Sequence, residues 1–122
     1  MAIRAIQQYR WDEIALEKVT EMISRKIITG EREMLTQIWL KKGAIVPMHD
    51  HESEQITWVF QGALKFTIEG REIIVREGDV LHIPSRVPHQ AEALDDTLEL
   101  DVFSPGRADW QDQNAQPKDF DV

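Results

Sequence analysis

Short runs rich in β-branched and aromatic residues recur along most of this chain, each closed by a turn signal. Residues 55–60 end at Gln61-Gly62, 63–68 at Glu69-Gly70, 72–76 at Glu77-Gly78-Asp79, and 80–83 at Pro84. Residues 89–93 and 97–103 follow, split by Asp95-Asp96. Upstream, residues 19–29 close at Gly30, and residues 33–40 close at Lys41-Lys42-Gly43. Strands this short, with turns every 8 to 10 residues or so, indicate an all-β sandwich or barrel. Residues 12–16 are expected to form a helical turn.

A chain of 122 residues makes one domain with room for a real core. The expected division is an N-terminal extension over residues 1–18, a barrel over 19–107 and a polar tail over 108–122. The net charge of −8, from 14 basic and 22 acidic residues, leaves no dominant basic patch. It argues against a nucleic-acid partner or an anionic membrane. With no cysteine, disulfides and thiolate metal sites are excluded. The first residues lack the apolar run of a signal peptide, and no stretch is as long as a membrane span. A cytoplasmic protein is the expectation.

Residues 43–62 carry the chemistry. His49, His51 and Gln55 are separated by even steps, and in one extended strand such residues share a face. Imidazole nitrogens suit Zn, Ni, Cu or Fe, and an amide oxygen can complete the shell. His89 is the expected fourth donor. Two hydrogen-bonded or surface histidines are the plainer reading of an isolated His-x-His. Glu54 has the parity opposite to His51, which makes it a supporting or solvent-facing group rather than a ligand.

The spacing of these residues resembles the cupin superfamily, whose two motifs are G-x5-H-x-H-x3,4-E-x6-G and G-x5-P-x-G-x2-H-x3-N. Gly43, His49, His51 and Gly62 fit the first motif; Gly78, Pro84 and His89 fit the second. Gln55 stands where the first motif has glutamate. Arg86 replaces the glycine of the second motif, and Ala93 replaces its asparagine. The resemblance implies a double-stranded β-helix (jelly-roll) barrel over about residues 19–107. It also implies one divalent transition metal per chain, Ni, Zn, Fe or Mn, held by His49, His51, Gln55 and His89. An amide in place of the carboxylate leaves the metal one unit more positive, which favours polarising chemistry over oxygen activation.

In residues 97–110, Leu98, Leu100 and Val102 form an apolar face opposite Glu99, Asp101 and Phe103. If the leucine face packs against an outer layer, Asp101 and Phe103 point into the metal cavity; the alternative is an exposed aspartate on a one-sided strand. Arg107 reads as a surface charge or as a clamp for a substrate carboxylate. The series Asp101, Phe103, Pro105, Arg107, Asp109 and Trp110, after His-x-His-x-x-Glu-Gln, is similar to the KdgF branch of cupins. That branch opens 4,5-unsaturated uronate monosaccharides from pectin or alginate to linear 5-keto-4-deoxyuronate. The resemblance implies proton transfer by Asp101, a grip on the substrate carboxylate by Arg107, and a pocket wall from Phe103. The partner is then a small-molecule sugar acid.

His82 is read as structural, Trp39, Trp58 and Phe60 as core or interface, and Trp110 as a cap on the pocket mouth. Cupins resembling this chain usually dimerise, so a homodimer is expected, with residues 19–29 a candidate for strand exchange. Two other activities fit the same metal motif. One is an oxygenase of the quercetinase or β-diketone type; the other is a sugar-binding cupin without turnover.

Overall fold

A computed structural model describes residues 5–111. After a 3-10 turn at Trp11–Glu13 come ten strands: β1 (Glu17–Lys18), β2 (Ile23–Thr29), β3 (Met34–Leu40), β4 (Ile45–His49), β5 (Glu54–Gln61), β6 (Ala63–Ile68), β7 (Arg71–Arg76), β8 (Val80–Ile83), β9 (His89–Ala93) and β10 (Thr97–Ser104). The short helix α1 (Ala108–Gln111) closes the described chain. The expected helical turn at 12–16 is replaced by the earlier 3-10 turn. The strand expected over 19–29 begins only at Ile23, because the backbone N–H groups of Val19 and Thr20 both turn back to the Ile23 carbonyl. Among the described residues no helix is long and apolar enough to cross a membrane.

The strands form two antiparallel sheets, ordered β1-β2-β3-β10-β5-β8 and β4-β9-β6-β7. Their facing surfaces enclose one core, with Ile38, Leu40 and Val59 on one wall and Leu64, Phe66 and Val75 on the other. β6 shows how the pattern drives this packing. Leu64, Phe66 and Ile68 are buried, while Ala63, Lys65 and Thr67 alternate outward. The fold is an all-β jelly-roll barrel, the architecture that the resemblance implies. β2 pairs along its length with β3 of its own chain.

Two turns fix the register. Ile68 and Arg71 pair across Glu69-Gly70, and both turn residues have positive φ (52° and 75°), as a two-residue hairpin with the twist of its strands requires. At Gly62, with φ of 88°, an added Cβ would stand 2.4 Å from the Asp96 carbonyl oxygen. Only glycine lets β5 turn into β6 beneath that backbone.

The face of the six-stranded sheet that points away from the core is strongly apolar. Leu98, Leu100 and Val102 lie there, half-buried, beside Ile56, Trp58 and Val80, of which Val80 is 60% exposed. Residues 5–9 border this face at one end, where they line a hollow with Leu35 and Val102. Trp58 and Phe60 stack with ring centroids 4.4 Å apart on this outer surface, away from the histidines.

Candidate metal centre and its pocket

His49, His51 and His89 converge at one end of the barrel, their nearest ring nitrogens all within 4.8 Å of one another. They reach this point by a different route from the single extended strand expected. His49 is the last residue of β4, His51 lies in the irregular link 50–53, and Gln55 belongs to β5 in the other sheet. Val46 of β4 points inward, so regular alternation would turn His49 outward. A register shift between Val46 and His49 breaks the alternation and sets His49 directly opposite His89 on β9. Pro47 suits this bulge on an edge strand, where a missing N–H costs no ladder bond.

All three imidazoles are oriented in the same way. Each Nδ1 lies 2.8 Å from a backbone carbonyl, that of Pro47 for His49, Ser53 for His51 and Val87 for His89. A carbonyl only accepts, so each Nδ1 carries the proton and the Nε2 lone pair is left for the interior. His89 Nε2 is buried with no hydrogen-bond partner. Burial lowers the pKa of His51 and brings that of His89 down to about 4, with the neighbouring histidines and Arg107 adding to the effect. The rings of His51 and His89 therefore stay neutral at physiological pH.

Gln55 supplies the most direct indication that a cation belongs here. Its amide nitrogen donates to Thr57 Oγ1 at 2.9 Å, which turns Oε1 toward His51 Nε2 at 3.1 Å. With His51 protonated on Nδ1, two acceptors face each other. A metal ion bound by both removes that conflict, and three imidazole nitrogens with one amide oxygen suit a divalent transition metal. The residues present fit such an ion.

From Gln55 a chain of hydrogen bonds leads to the carboxylate on β10. Thr57 accepts from Gln55 and donates to Asp101 Oδ1 at 2.6 Å. Asp101 is 3% exposed, and burial raises its pKa to about 6 against the opposing effects of Thr57, Glu99 and Arg107. Glu99, two residues earlier on the same face, is fully enclosed. Burial, then the charge of Asp101, pushes its carboxyl well above the usual range, so it remains protonated. Its Oε2 has no hydrogen-bond partner. A void of about 20 Å³ lies among Glu99, Asp101, Gln55, His49 and His89, enough for about one water molecule. The sequence reading gave neither Glu99 nor Thr57 a role, although the alternation of β10 and β5 had already put them on the site's face.

Phe103 is buried at the same end, edge-on to His51 with centroids 5.6 Å apart. Trp110 of α1 packs against Phe103 at 5.0 Å, under the guanidinium of Arg107. Arg107 is 4% exposed, and its Nε and Nη2 donate to the Asp109 carboxylate at 3.1 and 2.8 Å. Only Nη1 has no partner. A carboxylate approaching Arg107 thus meets a fork already occupied, unlike the free clamp envisaged from sequence. Glu54 and His82 pair at 2.8 Å on the outer surface, both about half-exposed.

Above the histidines a cavity of about 490 Å³ opens to solvent, lined by Asp50, Glu52, Arg86, Arg107 and Asp109. A larger hollow of about 810 Å³ lies elsewhere, between residues 5–9 and the edge of β2 and β3. It contains none of the histidines, and the chemistry belongs to the smaller cavity. On the rim, Arg86 has φ of 65°. It is the third residue of a turn closed by the Val87 N–H to the Pro84 carbonyl at 3.3 Å, a position that favours glycine when φ is positive. A left-handed conformation costs a non-glycine residue about 1–2 kcal/mol.

Fold and site together define a small β-barrel protein with three converging histidines that could hold a metal ion. A Cupin domain family model matches residues 38–104, and the chain belongs to the cupin family. Within that family it is 34% identical over 102 residues to the pectin degradation protein KdgF of Dickeya dadantii, covering 81% of this chain and 93% of that protein. The solved structure of KdgF from a Halomonas species superposes with a TM-score of 0.79 at 34% identity, covering 85% of this chain and 99% of the other. A structure of Bacillus subtilis oxalate decarboxylase, studied for its Mn(II) centres, shares the fold with a TM-score of 0.76 at 23% identity. It covers 92% of this chain and 33% of the decarboxylase.

Proposed function

We propose that this protein is a metal-dependent enzyme that opens 4,5-unsaturated uronate monosaccharides, as released from pectin or alginate, to linear 5-keto-4-deoxyuronate. The observation that carries the reading is the buried Asp101 carboxyl, joined through Thr57 to the metal-facing amide of Gln55. The similarity to KdgF, over most of both chains, supports the substrate class.

The metal site comprises His49, His51, Gln55 and His89. One divalent transition metal, of the Ni, Zn, Fe or Mn kind, would supply Lewis-acid polarisation of sugar oxygens there. The rest of the chemistry falls to side chains. An unsaturated uronate is an enol ether, and its opening begins with a proton delivered to C4. Water then adds at C5. The resulting hemiketal opens by breaking the bond from C5 to the ring oxygen, which gives a C5 ketone and a C1 hydrate. The hydrate loses one water to become the C1 aldehyde. Asp101, with a pKa near 6, is matched to giving and regaining that proton close to neutrality. Arg107 offers Nη1 to the substrate carboxylate, and Phe103 forms the wall that excludes water. The barrel domain is assigned to residues 19–107.

The working form is a homodimer. Its contact surface is the apolar outer face of the six-stranded sheet, where Leu100 and Trp58 lie side by side and Trp58 is 43% exposed.

The test follows the loss of C4=C5 ultraviolet absorbance of freshly generated unsaturated galacturonate. Metal-loaded protein, chelator-stripped protein and a protein-free blank are compared, because this sugar also opens spontaneously. Acceleration over the blank that requires metal and disappears in Asp101→Ala is expected. A rate equal to the blank rejects the uronate reading, and oxygen uptake with a flavonol or β-diketone then tests the oxygenase.

A further inference from the structure

A second arginine lines the pocket with Arg107, and its backbone is hard to explain as ordinary surface. Arg86 sits at the third position of the Pro84–Val87 turn with φ of 65°, where glycine would be free of strain. Its backbone N–H donates to the His51 carbonyl at 2.8 Å, which ties the rim of the cavity to the metal-binding segment. Arg86 lines the same 490 Å³ cavity as His49, His51 and Arg107. The side chain is 67% exposed, and its Nη1 donates to Asp50 Oδ1 at 3.3 Å. Such a pair is weak and readily exchanged.

Arg107 cannot offer an incoming carboxylate its Nε–Nη2 fork, since Asp109 occupies both nitrogens. The cavity also carries Asp50, Glu52 and Asp109, an acidic rim that would repel a sugar acid unless a mobile cation answered it. Arg86 lines the cavity with further guanidinium donors and an exchangeable partner.

We propose that Arg86 is a specificity residue that releases Asp50 and binds the substrate's carboxylate bidentately, with Arg107 Nη1 as the second contact. The left-handed backbone is retained because it aims this side chain over the mouth. The proposal rests on the uronate reading for its ligand, but it can be tested apart from the reaction.

The probe is D-galacturonate, with D-galactose as the neutral counterpart, titrated calorimetrically into metal-loaded protein. In Arg86→Gly, galacturonate should bind about 10-fold more weakly while galactose binding is unchanged. The same variant should melt about 3–5 °C higher, since glycine relieves the turn. Arg86→Gln should lose the same affinity without the gain in Tm. Arg86→Lys should recover part of the affinity, as a point charge without the fork. In kinetics with the unsaturated uronate the loss should fall on KM rather than kcat. Equal galacturonate affinity in Arg86→Gly, Arg86→Gln and the parent overturns the proposal, and so does a parent protein that binds no galacturonate. Arg86-dependent galacturonate binding without turnover rejects the ring-opening reading and leaves Arg86 in its place.

Discussion

β6 and β10 lie in opposite walls of the same barrel and follow opposite rules. On β6 the inward residues are Leu64, Phe66 and Ile68, and the outward ones include Lys65 and Thr67. On β10 the inward residues are Thr97, Glu99, Asp101 and Phe103, all buried, while Leu98, Leu100 and Val102 face out and stay partly exposed. Burying two carboxyls side by side costs free energy that a leucine in either place would not. β6 spends its side chains on stability. β10 gives up core packing on one side for an acid held above its ordinary pKa, and exposes apolar surface on the other. Under the proposed function this reversed pattern serves both faces, a reaction pocket within and a protein contact without.

The sharpest test of the contrast sets one substitution on each strand side by side. Asp101→Asn keeps the shape but cannot shuttle a proton. It should lower kcat by about 10²–10⁴-fold. Bound metal, measured by elemental analysis, and Tm should not fall, since a buried charge has been removed. Phe66→Ala should do the reverse. It should cost about 3–5 kcal/mol in urea unfolding, while the fraction that remains folded keeps its kcat. If Asp101→Asn unfolds the protein and leaves kcat per folded chain unchanged, β10 is merely structural and the comparison collapses.

The outer face of β10 and its neighbours gives a smaller effect with a different readout. Trp58→Lys puts a charge at the centre of the apolar surface while touching nothing in the pocket. Light scattering should show the parent at twice the chain mass and the variant at the single-chain mass, with metal content retained. A parent that is monomeric at micromolar concentration removes the interface from the comparison, and the exposed leucines then need another explanation.

The sequence already showed much of this. Regular turn signals and period-two runs defined β5 to β10 almost to the residue, because each strand has one buried face and a Gly, Pro or Asp-Asp stop. The three histidines could be found from spacing alone. Their geometry could not, because the bulge between Val46 and His49 inverts a parity that counting treats as fixed, and because Gln55 reaches the histidines from the other sheet. The pairing of Arg107 with Asp109 was equally hidden, since two residues' separation says nothing about which way a guanidinium turns. Glu99 was visible by parity but carried no motif. Only its burial beside Asp101 shows that it belongs to the site.

Thr57 offers the finest probe of how the inward face of β10 is tuned. Its hydroxyl donates to Asp101 at 2.6 Å, which favours the ionised carboxylate and partly offsets the burial that raises the pKa to about 6. Thr57→Val keeps the volume and the β-branch but removes the donor. Asp101 should then hold its proton to a pH about one unit higher, the equivalent of one charge-assisted hydrogen bond. If protonated Asp101 is the acid that starts ring opening, activity falls as pH rises through its pKa, and in Thr57→Val that descending limb moves to higher pH. If the carboxylate instead works as a base, it is the ascending limb that moves the same way, and activity near pH 6 drops. The direction of change at pH 6 to 7 therefore assigns the proton. A pH–rate profile identical to the parent's would detach Asp101 from Thr57 and Gln55, and with them from the metal end of the barrel.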